Sequence, residues 1–164
     1  PRWTDMYNMK RIGICWIEFA QVGIPTSLHL NARTSFDWQR LTEWIVAREE
    51  ICSVSFEFAT LIDSRKTIYV QRLIDLATAV PRRLLLVVRG GIRYLSKLAS
   101  SFDLVYLDTE PFIKANKRQM AVEPDKWISV ASPELDEIDA LLEHNLQVRE
   151  RRLLDTVGTL ILEP

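Results

Sequence analysis

The segment Pro25-Thr26-Ser27-Leu28-His29-Leu30-Asn31-Ala32-Arg33 alternates polar and apolar residues one by one over its last seven positions. A period of two is the mark of an extended strand, so Ser27, His29, Asn31 and Arg33 share one face and Leu28, Leu30 and Ala32 the other. Such a strand buries one side and leaves histidine, asparagine and arginine on the opposite one. The chain becomes informative if later strands repeat that division.

Upstream, Met6, Met9, Ile12, Trp16, Phe19 and Ala20 recur at intervals of three and four after Thr4-Asp5, which predicts a helix ended by Gly23 and led out by Ile24-Pro25. Ile12, Ile14 and Trp16 also fit a strand, but no hairpin signal beyond Gly23 would return it into the next one. Downstream, Thr34-Ser35 opens a second helix through Trp38, Leu41, Trp44 and Ile45. Residues Ile51 to Phe58 then read as a strand with Val54, Phe56 and Phe58 on one face and Ser53, Ser55 and Glu57 on the other, which repeats the opening pattern. Ala59 to Lys66 reads as a loop and Thr67 to Val80 as a third amphipathic helix. The aliphatic run Leu84 to Val88 has the look of a central parallel strand covered on both sides, and it ends in Arg89-Gly90-Gly91 before a short helix from Ile92 to Ser101. Asp103 to Asp108 is the next strand. An irregular basic stretch from Lys114 to Gln119 precedes a last short strand at Trp127 to Val130. Ser132-Pro133-Glu134 starts a long charged helix, and the tail from Val157 to Leu162 is apolar enough for an edge strand.

Strands alternating with helices imply βα units and a parallel sheet, hence an α/β fold. About five units closing into an incomplete (β/α)8-type barrel are favoured over an open doubly wound sheet, because polar strand faces suit a barrel interior better than a face covered by helices. The 164 residues fit one α/β domain over 1–164, and a start at Pro1 is consistent with missing N-terminal residues. A net charge of −1 argues against a dedicated nucleic-acid binder, so any such role would need a local patch such as Lys114, Lys117 and Arg118. Cys15 and Cys52 form no metal-binding spacing and point to a reduced, cytoplasmic chain. No apolar run approaches the roughly 20 residues that span a bilayer.

Ligands of parallel α/β folds bind at the carboxyl ends of the strands. There this chain places His29, Asn31, Arg33, Glu57, Arg89, Asp108 and Glu110. Two chemistries use these residue types. His29, Glu57 and Asp108 could ligate a divalent metal that activates water. Alternatively, Glu57 with Asp108 or Glu110 forms a general acid/base pair separated in pKa by Arg89, as in a hydrolase. His29, Asn31, Arg33 and Arg89 would bind the ligand, and Gly90-Gly91 with the following amides could hold a phosphate, although the Walker and GxGxxG patterns are absent. The competing structural explanation is a Glu57–Arg89 ion pair, a hydrogen-bonded His29 and a plain glycine turn.

The order of a helix carrying Tyr7-Asn8, then Gly23-Ile24-Pro25, a polar strand and Phe36-Asp37-Trp38 resembles bacterial and phage domains of unknown function with barrel-like folds. The resemblance covers the first third of the chain. It implies a barrel-like fold and a phage or mobile-element setting, and no activity. A non-catalytic module binding protein or nucleic acid is the alternative to a ligand-binding or hydrolytic domain.

Overall fold

The computed structural model describes residues 2–123, 125–131 and 135–157, with backbone alone at 135–137 and 157. Contacts divide the chain into two compact units, Pro1–Leu107 and Asp108–Pro164. The Ser132-Pro133-Glu134 helix start and the tail beyond Val157 lie outside the described residues.

In the first unit, helix α1 (Arg2–Gln21) is followed by strand β1 (Leu28–His29), helix α2 (Ser35–Val46), strand β2 (Ser53–Glu57), helix α3 (Asp63–Ala79), strand β3 (Leu85–Arg89), a single 3-10 turn (Ile92–Tyr94), helix α4 (Leu95–Ala99) and strand β4 (Asp103–Leu107). The four strands are parallel and lie in the order β1-β2-β3-β4. The fold is therefore mixed α/β with a parallel sheet. Among the described residues the sheet ends at β1 and β4, and the strand order follows the chain without the reversal that defines a doubly wound sheet.

The deciding strand is shorter than its pattern. Only Leu28 and His29 form ladder pairs, with Val54 and Ser55, and the Leu30 amide adds one more bond to the Ser55 carbonyl at 2.9 Å. The alternation still sorts side chains as expected. Leu28, Leu30 and Ala32 are buried, while Ser27, His29, Asn31 and Arg33 are half-buried or exposed. The buried face continues through Val54, Phe56 and Phe58 of the β2 segment and through Leu84, Leu86 and Val88 of the β3 segment, against Val70, Leu73 and Leu76 of α3 and Leu95 and Leu98 of α4. Fully burying each of these side chains stabilises the fold by roughly 1.5–3 kcal/mol.

The second face corrects the expectation for β3. Leu85 and Val87 are half-buried, and on β4 Val105 opposite Val87 and Leu107 opposite Arg89 are exposed, so β3 is covered fully on one side only. Helix α3 also begins at Asp63, inside the expected loop, with Asp63 as an acid in its first turn paired to Lys66 at 2.8 Å. Among the tryptophans of this unit, Trp16 and Trp38 are buried, Trp44 meets Trp16 edge to face at 5.8 Å, and Trp3 is exposed.

Helix α2 is set by its first turn. Thr34 accepts from the Asp37 amide at 3.2 Å while Asp37 accepts from the Thr34 amide at 3.0 Å, a complete capping box. Arg2 of α1 donates twice to the same carboxylate, at 2.6 and 2.7 Å, and so ties the start of α1 to the start of α2.

The second unit contains helix α5 (Glu110–Asn116), the hairpin strands β5 (Gln119–Glu123) and β6 (Lys126–Ser129), and helix α6 (Leu135–Val157). The strand expected near Trp127 is thus no fifth parallel strand. It pairs antiparallel with β5, so among the described residues the parallel strands number four. The basic stretch read as irregular supplies the end of α5 and the start of β5. Asn145 of α6 holds this arrangement: fully buried, it accepts from the Ala121 amide at 2.8 Å and donates to the Gln119 carbonyl at 2.9 Å. Among the described residues, no helix is long and apolar enough to cross a membrane.

Candidate functional site

The half-buried face of the parallel sheet carries a ladder of polar pairs. Register places His29 opposite Ser55 and Glu57 opposite Arg89, and side chains two apart on one strand share a face about 7 Å apart. Ser27 and Ser53 join through their hydroxyls. His29 Nδ1 lies 3.3 Å from Ser55 Oγ. At the carboxyl ends of β2 and β3, Arg89 Nη1 donates to Glu57 Oε2 at 2.9 Å, and the Ala59 amide donates to Glu57 Oε1 at 2.8 Å. Three cross-strand pairs therefore run along one face toward the end where parallel sheets bind ligands.

Electrostatics distinguish the two ends of this ladder. Desolvation lowers the His29 pKa from its ordinary value, and the Glu57 carboxylate opposes that shift. A neutral imidazole at neutral pH accepts a hydrogen bond or a proton, the state a general base needs. Glu57 and Arg89 retain 25% and 40% side-chain exposure, so their ion pair is a part-exposed one within reach of solvent and solutes rather than a sealed pair in the core.

The other expected residues divide between the units. Asn31 lies beyond β1 and lines the same clefts as His29. Arg33 turns toward α1, with Nε 3.4 Å from Asp5. Gly90 and Gly91 both have φ of +72°, and a Cβ there would stand 2.8 Å from the Ala59 nitrogen and 2.9 Å from the Phe58 side chain, respectively. Close packing of the β3 turn on the β2 turn is thus sufficient reason for both glycines. The single 3-10 turn that follows is too short to make a helix-end anion site.

Asp108 and Glu110 belong to the second unit, where they hold an arginine. Arg149 Nε donates to Asp108 Oδ2 at 2.8 Å and Arg149 Nη2 lies 3.4 Å from Glu110 Oε2, while Asp108 Oδ1 accepts from the Glu110 amide at 3.0 Å. Asp125 joins through Arg149 Nη1 at 3.1 Å and pairs with Arg152, whose hydrogen bond pulls the Asp125 pKa down. Sequence reading missed Arg149 because it stands in a run of charges that looks solvated, and its partner Asp108 lies 41 residues away. Within its own unit, Glu57 pairs with Arg89, and Asp108 and Glu110 pair with Arg149. Among the described residues no three histidine, cysteine or acidic side chains gather as ligands. Lys114 lies 5.2 Å from the centre of the Trp127 ring, and Lys117 and Arg118 follow at the turn into β5.

Comparisons of the chain with protein-family models, curated proteins and solved structures each find no match.

Proposed function

We infer that the first unit is a segment of a (β/α) barrel-like fold that binds a small polar ligand on its half-buried sheet face. The observation that carries this reading is the in-register ladder of Ser27–Ser53, His29–Ser55 and Glu57–Arg89 on neighbouring parallel strands. The sequential strand order supports a barrel segment, since barrels keep chain order and doubly wound sheets reverse it. On this reading Arg89 offers a cation to a carboxylate or phosphate, Glu57 orients that cation, and the neutral His29 accepts a hydrogen bond or a proton from the ligand.

The test is a titration of the whole chain with a panel of small phosphates and carboxylates, followed through the His29 ring signals by NMR. A saturable shift of those signals is expected, and Glu57→Gln should weaken binding about ten- to a hundredfold while leaving the circular dichroism unchanged. Absence of any saturable shift at millimolar ligand, or equal affinity in the variant, would count against the assignment.

A further inference from the structure

Two clefts flank helix α1, of about 800 Å³ and about 430 Å³, and Ile12, His29 and Asn31 line both. The larger lies between α1, β1 and α2. Its walls are apolar: Met6, Met9 and Ile17 on α1 and Leu41 and Trp44 on α2. The α1 wall from Met6 to Ile17 runs about 16 Å at the helical rise, and 800 Å³ falls within the range of cavities that hold a small organic ligand. The floor is polar, formed by His29 and Asn31.

Charge selects among ligands that would fit. Lys10 from α1 and Arg40 from α2 border the cleft, and among the described residues no carboxylate lies within salt-bridge distance of either. Glu43, the acid at the same border, accepts a hydrogen bond from Gln39 at 2.9 Å. Two cations bordering one cleft with largely apolar walls match a molecule that has an apolar body and an anionic head. The methionines suit it further, because thioether side chains adapt to a flexible chain.

We propose that this cleft binds an amphipathic anion, its hydrocarbon body between α1 and α2 and its head between Lys10 and Arg40. The site goes beyond the polar sheet face described above and does not require that face to bind anything.

The test titrates the full chain with dodecyl phosphate, with dodecyl maltoside below its micellar concentration, and with inorganic phosphate, following tryptophan emission from Trp44 and Trp16. Dodecyl phosphate should bind at least tenfold more tightly than the uncharged maltoside, and inorganic phosphate should leave the emission unchanged. Lys10→Glu combined with Arg40→Glu should remove that preference and leave maltoside affinity as it was. Gly13→Leu should lower dodecyl phosphate binding at least tenfold: a Cβ at Gly13 meets only Trp44, at an ordinary 3.8 Å, and a longer side chain fills the channel. If circular dichroism shows that this variant does not fold, Leu41→Trp takes its place. Equal affinity for the two amphiphiles, full binding by the filled variant, or a dimer in sedimentation that dodecyl phosphate does not dissociate would overturn the proposal.

Discussion

Replacing Asp37 with asparagine should expose how firmly α1 is tied to α2. The Asp37 carboxylate is fully buried and receives four hydrogen bonds: two from Arg2 at 2.6 and 2.7 Å, one from the Thr34 hydroxyl at 2.8 Å and one from the Thr34 amide at 3.0 Å. Asparagine keeps the shape but removes the charge and turns an amide donor toward other donors. Breaking a fully buried ion pair costs about 3–5 kcal/mol. Arg2 keeps 43% of its side-chain exposure, so water takes up part of what it loses, and a loss of about 2–3 kcal/mol is expected. That corresponds to a fall in Tm of roughly 6–12 °C.

The pH dependence supplies an independent check. Arg2, with Thr34, holds the Asp37 pKa well below the usual carboxylate range. A depressed native pKa means that the unfolded chain binds the proton first as pH falls. The contribution is therefore complete above the unfolded value of about 3.9 and is lost as pH drops through the native one. Urea unfolding followed by tryptophan emission reports on this unit, which holds four of the five tryptophans, Trp3, Trp16, Trp38 and Trp44. The gap between wild type and Asp37→Asn should stay constant from about pH 7 to about pH 4 and narrow below it. A variant within about 0.5 kcal/mol of wild type, or a gap that is the same at about pH 2, refutes the argument.

Two further outcomes follow from the geometry. Gly91→Ala should cost about 2–4 kcal/mol in urea unfolding, because strain at φ +72° adds to a Cβ 2.9 Å from Phe58, whereas Gly23→Ala, at φ +75° with open space around it, should cost about 1 kcal/mol; equal costs would remove the crowding argument. His29 should titrate by NMR below the ordinary histidine value, and Glu57→Gln should lower it further by removing the anion that opposes the shift. Because the native pKa is depressed, this histidine's contribution to stability is present above the unfolded value of about 6.5 and is lost as pH falls through the native one. An unchanged or raised His29 pKa in the variant would separate the two side chains.

Periodicity carried most of the local structure. The spacing of Trp38, Leu41, Trp44 and Ile45 and the Thr34–Asp37 cap placed α2, and the alternation of Ser53 to Phe58 placed β2, because each depends on residues within one or two turns of one another. The errors arose where distant partners decide. Trp127 to Val130 has the composition of any short strand, and only pairing with Gln119 to Glu123 makes it half of a hairpin instead of a parallel strand. What Asp108 and Glu110 touch is likewise set from a distance, since Arg149 meets them from α6.

The polar face that begins at Ser27 was legible from the chain alone, since a two-residue period fixes which side chains share a side whatever the strand later pairs with. Alternation cannot supply register. That His29 meets Ser55 and Glu57 meets Arg89 follows from parallel pairing between strands more than twenty residues apart, and the tertiary structure decided it. The clefts beside α1 are likewise products of assembly: Lys10 and Arg40 stand thirty residues apart, and a cavity is the space that packed helices and strands leave, which no local pattern encodes.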